Sequence, residues 1–113
     1  MAHEMLPLGN LPFHILLALG DGPLHGYAIG REIETRSAGK LNPTTGSLYQ
    51  ALRRLTEDGL IEPAPAADSM AADRRRQHFQ LTRLGRRLAG LEAERLAGLV
   101  EIARERRLFP GSR

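Results

Sequence analysis

The chain has no cysteine and no tryptophan among its 113 residues, and only two tyrosines and three phenylalanines. Without a thiol there is no disulfide framework, no cysteine-ligated metal and no cysteine nucleophile, and the chain suits a reducing compartment. Long apolar runs are also missing. The strongest, Ile15 to Leu19, is far too short to span a membrane, and the opening Met1-Ala2-His3-Glu4 lacks a basic targeting region, so a cytoplasmic location is expected. The four histidines, His3, His14, His25 and His78, show no His-x-x-x-His spacing and no accompanying carboxylate pattern. Neither Ser47 nor Ser69 sits in a nucleophile elbow, and no Gly-rich phosphate loop occurs. The residues therefore predict no catalytic site, no metal and no cofactor; the chain does not read as an enzyme.

Charge is present but unevenly placed. The formal net charge is +3 with a pI near 10.2, which points to an anionic partner. Residues 1–80 hold eight Lys/Arg against nine Asp/Glu, whereas residues 81–113 hold eight against four, so the excess is C-terminal. Bulk charge alone would put an anion on that segment. Residue patterns point elsewhere.

Asn10 as N-cap and Pro12 in the first turn, followed by Phe13, Leu16, Leu17 and Leu19, predict a first helix that ends at Gly20-Asp21-Gly22-Pro23. Residues 26–36 place Ile29 and Ile33 on one face of a second helix. Thr44 or Thr45 can cap a third, running to about Asp58 and stopped by Gly59. Leu60-Ile61-Glu62, closed by Pro63, and the alternating residues 77–81 can pair as strands around the Pro/Ala-rich stretch 62–72. From Thr82, a further N-cap, Leu84, Leu88, Leu91, Leu96, Leu99 and Ile102 recur with no proline until Pro110. That pattern predicts one helix of about 27 residues, roughly 40 Å long.

Three short helices, a hairpin and a long helix outline a mainly α winged helix-turn-helix with a small β-hairpin. The organisation expected is a winged helix-turn-helix over residues 1–81, a C-terminal dimerisation helix over 82–109 and a tail at 110–113. On the third helix Leu48, Ala51, Leu52 and Leu55 share one face, while Gly46, Gln50, Arg53 and Arg54 occupy the other, with Tyr49 at the edge. One face packs and the other can read DNA. Arg contacts guanine or phosphate through two donors, Gln pairs with adenine, and Thr45, Ser47 and the helix N-terminus can hold a phosphate. Glu57 and Asp58 would repel phosphate, so docking by the N-terminal half is expected.

These residues resemble the PadR-like family of transcriptional regulators over roughly residues 11–109. Leu24-His25-Gly26-Tyr27-Ala28-Ile29 looks like the start of that family's second helix. Gly46-Ser47-Leu48-Tyr49 with Ala51-Leu52-Arg53-Arg54-Leu55 looks like its recognition helix, Gly59-Leu60-Ile61 like the start of its wing, and Leu81-Thr82 with Gly85 like the junction into its C-terminal helix. The resemblance implies a winged-helix homodimer on palindromic operators, usually a repressor, and the single long helix is similar to the family's short subgroup. Two departures stand out. Gln50 replaces a proline frequent after the Leu-Tyr pair, adding a base-reading side chain, and His78-Phe79 stands where two aromatics are common in the second wing strand.

Within this outline Arg74, Arg75 and Arg76 lie at the wing base, where they can grip backbone or minor groove, with Lys40 and Arg36 as weaker phosphate contacts. Tyr49 is assigned to DNA. Tyr27 stays split between a phosphate contact and a structural role. Leu88, Leu91, Leu96, Leu99 and Ile102 spread over more apolar surface than a domain of about 80 residues covers, so they are the expected dimer face. Double-stranded operator DNA and a second copy are the expected partners, and an inducer, small molecule or protein, stays unassigned. A protein-binding winged-helix module is the rival reading.

Overall fold

A computed structural model describes residues 2–65 and 76–110, so the expectations for Arg74 and Arg75 fall outside the described residues. In chain order the elements are α1 (Asn10–Ala18), β1 (Leu24–His25), α2 (Gly26–Arg36), α3 (Thr45–Glu57), β2 (Ile61–Ala64), β3 (His78–Leu81) and α4 (Arg83–Glu105), with short 3-10 turns at Ala2–Met5 and Leu19–Asp21. Four helices and a three-stranded antiparallel sheet make a winged helix; the helices and the β2–β3 hairpin match the sequence expectation, and β1 adds a third strand to it. No helix among the described residues is long and apolar enough to cross a membrane.

The core forms where the apolar faces of the short helices converge. Ile15 and Leu16 from α1, Leu19 from the turn after it, Ile29 and Ile33 from α2, and Leu48, Leu52 and Leu55 from α3 are buried together with Leu60, Ile61 and Leu88. Caps set the helix starts. Thr44 Oγ1 accepts the Ser47 N–H at 3.0 Å and Thr82 Oγ1 accepts the Gly85 N–H at 3.0 Å, each satisfying a donor that has no partner within its helix. The first helix departs from the sequence reading, because Asn10 is already helical and Gly9 occupies the cap without a side-chain bond.

At the end of α3, Gly59 adopts φ +78 while Gly59 and Leu60 donate to the Thr56 and Leu55 carbonyls at 3.1 and 3.0 Å. This closure uses a left-handed residue and turns the chain into β2. The same closure ends α4 at Glu105, earlier than the proline at 110 suggests, because Arg107 takes φ 59 and Leu108 donates to the Ala103 carbonyl at 2.8 Å. An arginine there gives no sequence signal.

The strand order is β1-β3-β2. Leu24 and His25 pair with Phe79 and His78, and Ile61, Glu62, Pro63 and Ala64 pair with Leu81, Gln80, Phe79 and His78. Pro63 is tolerated because β2 is an edge strand and needs to offer fewer N–H groups. The outer strand β1, only two residues long, was read from sequence as part of the approach to α2.

Helix α4 has two halves. Its first turns bury Gly85, Leu88 and Glu92 against the body, while further along Leu96 is half-buried and Leu99 and Ile102 are about half exposed. Leu88 must therefore be corrected: it is fully buried in its own chain's core and lines no open dimer face. At 100° per residue the buried direction of Gly85, Leu88 and Glu92 continues through Leu96, Leu99 and Ala103. The face that packs on the domain thus runs on beyond it, and the molecule measures 51 Å along its longest axis.

Glu92 is the unexpected member of that face. Its Oε2 accepts the Leu8 N–H at 2.8 Å, and the Arg95 guanidinium bonds both carboxylate oxygens. The Arg95 hydrogen bond holds the carboxyl below the usual carboxylate range, helped by the Leu8 N–H and opposed by burial.

Candidate nucleic-acid interface

The exposed side of α3 is organised in three strips. At 100° per residue, Gly46, Gln50, Arg53 and Glu57 run down the centre of the face opposite Leu48, Leu52 and Leu55. Thr45 and Tyr49 flank one edge; Ser47, Arg54 and Asp58 flank the other. Arg54 does not project in the same way as Arg53, because its Nε lies 3.4 Å from Asp58 Oδ2 and it borders a hollow with Pro7, Leu8, Pro12 and Ala51. That pair borders the N-terminal segment.

At the start of α3, Thr44 Oγ1 donates to Ser47 Oγ at 2.9 Å, so the Ser47 hydroxyl is oriented by the cap. Lys40 is exposed in the preceding connection, which Ser37 ties down by accepting the Leu41 N–H at 2.9 Å.

On the other edge the Tyr49 ring covers Gly26, the first residue of α2, so closely that a β-carbon there would lie 2.5 Å from the phenolic oxygen. Glycine at 26 is what lets α3 bring Tyr49 across the start of α2. Tyr49 is 44% and Tyr27 60% exposed, so neither tyrosine is taken up into the core.

His25 holds the junction. Its Nδ1 accepts the Ala28 N–H at 3.2 Å, capping α2, while Arg76 Nη1 lies 3.3 Å from its Nε2. Beside it, His78 is buried, with Nδ1 3.0 Å from the Arg76 carbonyl oxygen. The wing base and the α2 start are thereby joined through backbone pairing and side chains together.

Thr45, Tyr49, Gln50, Arg53 and Arg76 therefore share one side of the molecule, with Ser47 and Arg54 on the far edge of α3. Three residues of that side were absent from the sequence-derived set or left divided: His25, Tyr27 and Arg31. Tyr27 and Arg31 stand four apart on α2, a spacing that puts them on one face and that could have flagged the pair.

The chain matches the family model described as "Transcriptional regulator PadR-like family" over residues 15–90. It is similar to an uncharacterised 37.1 kDa protein of a Streptomyces fradiae transposon, 45% identical over 85 residues, which covers 75% of this chain and 22% of that relative. The chain spans about a fifth of that relative's length. Among solved structures it resembles a PadR family transcription regulator from hypervirulent Clostridium difficile, with 20% identity, 86% of this chain and 97% of that one covered, and a TM-score of 0.71. A transcriptional regulator from Clostridium thermocellum is similar at 21% identity, 84% and 87% coverage and a TM-score of 0.69. At these identities the structural likenesses establish the fold.

Proposed function

Because this chain belongs to the PadR-like family of transcriptional regulators, we propose that it binds duplex DNA sequence-specifically as a homodimer on a palindromic operator and represses transcription there. The observation that carries the reading is the exposed strip Gly46, Gln50, Arg53 on a helix whose opposite face is wholly committed to the core. Glycine at 46 leaves room for close approach, and Gln50 and Arg53 carry the donors and acceptors that discriminate base edges in the major groove. Ser47, Thr45, Tyr49 and Lys40 hold phosphates around that strip, and Arg76, with Arg74 and Arg75, grips the flank. No bond is made or broken in this function.

The second copy is supported by α4. Its core-facing side continues past the domain as Leu96 and Leu99, with Ile102 and Leu91 at the edge, and apolar surface of this kind is stabilised when a twofold mate covers it. Residues 1–81 are then the reading unit, and the protruding half of α4 is the assembly arm.

Selection of bound sequences from a random duplex pool tests both parts. The expected product is a palindrome whose half-sites lie about one helical turn, ~34 Å, apart. An asymmetric motif would overturn the dimer, and enrichment of no motif at all would overturn sequence-specific binding in favour of a protein-binding module.

A further inference from the structure

Tyr27 sits in a setting that base reading by α3 does not use. Its exposed ring stacks on His25 at 6.3 Å between centroids, and the guanidinium carbons of Arg31 and Arg76 lie 5.9 and 5.7 Å from its centroid. Arg31 is placed by α2 itself, one turn after Tyr27. Arg76 arrives from the wing, delivered by the pairing of His25 with His78. Tyr27 lines two hollows. One, of about 240 Å³, has Arg31, Thr45 and Tyr49 in its wall; the other, of about 390 Å³, has Arg76, His25, Gln77 and again Tyr49. Among the described residues each hollow thus holds one guanidinium and is bordered by both tyrosines, and Glu34, on the first, is the single carboxylate lining either.

A guanidinium resting on an aromatic ring has already lost part of its rotational freedom, so it costs less to order when an anion arrives. Two such cations on one ring also repel each other, and an anion beside each relieves that repulsion. Both guanidinium carbons lie within 6 Å of one centroid and so stand at most about 12 Å apart. Phosphates of one strand follow each other every ~3.4 Å along the duplex axis, so neighbours fall within that span.

We infer that Tyr27, Arg31 and Arg76 form a two-sided clamp for nearby phosphates of one DNA strand, with Tyr27 as the positioning residue for both guanidiniums. The inference rests on the DNA-binding reading above. The clamp flanks α3 on its Tyr49 edge instead of lying on its central strip, so it contributes affinity and register while Gln50 and Arg53 choose the sequence.

The test measures binding of the full chain and of Arg31→Gln, Tyr27→Leu and Tyr27→Phe to the selected operator and to a random duplex of equal length, across a range of salt. Arg31→Gln is expected to weaken both duplexes by a similar factor, on the order of tenfold, and to reduce the log–log salt slope by about 0.9, the loss of one phosphate. Tyr27→Leu, with both arginines kept, should move affinity and slope in the same direction, and Tyr27→Phe should keep both near those of the unaltered protein. An unchanged slope in Arg31→Gln, or a loss confined to the operator, overturns the clamp and leaves the DNA reading standing. Equal loss in Tyr27→Phe and Tyr27→Leu overturns the positioning role. Failure of the unaltered protein to bind any duplex overturns the DNA reading and the clamp with it. Melting curves of each variant separate these outcomes from misfolding, which is not expected at two exposed side chains.

Discussion

Gly85 lies directly over Leu60: a β-carbon at 85 would stand 1.9 Å from the Leu60 carbonyl oxygen. That carbonyl also accepts the Thr82 N–H at 3.1 Å, and the Thr82 hydroxyl donates to the Gly59 carbonyl at 2.6 Å, so the start of α4 is fastened to the turn after α3. The obstacle is backbone and cannot rotate aside. Gly85→Ala should therefore destabilise the protein by about 3 kcal/mol, lowering the melting temperature by more than about 10 °C. Gly90→Ala, in open space on the same helix, should instead stabilise it by about 0.5–1 kcal/mol. Thermal unfolding of the two variants side by side checks the contrast.

Gly26→Ala meets a different obstacle, the far end of the Tyr49 side chain. The ring can swing away, so folding stability should change by less than about 1 kcal/mol while operator affinity falls by roughly tenfold. A double variant with Tyr49→Leu should bind no worse than Tyr49→Leu alone. Additive losses in that cycle would show that Gly26 does not act through Tyr49.

Arg53 and Arg54, adjacent in sequence, should behave differently on DNA. Arg53→Ala is expected to cost about 1–3 kcal/mol of operator binding and to relax the preference at one base pair, because Arg53 lies on the central strip. Arg54 is turned toward Asp58, and Arg54→Ala should cost less than Arg53→Ala and leave the base preference intact. Binding to a panel of single-base operator variants distinguishes the two.

Glu92 ties stability to pH. Its carboxyl titrates below the ordinary carboxylate range, so the stabilisation it gives is present above that range and is lost as pH falls through the depressed value. Glu92→Gln should lower the melting temperature at neutral pH, and the gap to the unaltered protein should close as acidification carries the pH down through the depressed value. A gap that stays constant across the titration would mean that the charge contributes nothing.

Leu99→Glu combined with Ile102→Glu should leave the domain folded and abolish pairing, since both side chains are about half exposed in the single chain. Sedimentation should report a monomer, and operator affinity should fall on the order of 100-fold as the second half-site loses its tether. An unchanged mass would place the assembly surface elsewhere.

Much of the fold was legible because local chemistry and hydrophobic period agreed. Thr44 and Thr82 cap as their neighbours suggest, and Ile29, Ile33, Leu48, Leu52 and Leu55 are buried at the spacings that predict it. Departures arise where tertiary contact overrides local pattern. Strand β1 is two residues long and exists through its partner β3, so no window of sequence reveals it. Leu88 looks like the rest of the α4 stripe, and only the proximity of the domain assigns it to the core. Glu92 interrupts that stripe at a position four after Leu88, a gap that reads as solvent exposure until the Leu8 N–H and Arg95 come into view. For the candidate interface, helix period separated Arg53 from the packed face, but the Asp58 partner of Arg54 and the cations around Tyr27 required coordinates.

The central place of β3 bears on how far this protein can be taken apart. Because one strand bonds both the outer wing strand and the residues that open α2, the reading helices and the wing share hydrogen bonds instead of meeting only at a linker. A chimera that exchanged β1, α2 and α3 but kept the host wing would leave β3 to pair with a foreign β1, and the His25 and Arg76 contact would be cut at the seam. The smallest transplantable piece runs from β1 to β3, so new operator preferences in this scaffold are better sought by substitution on α3 than by grafting it.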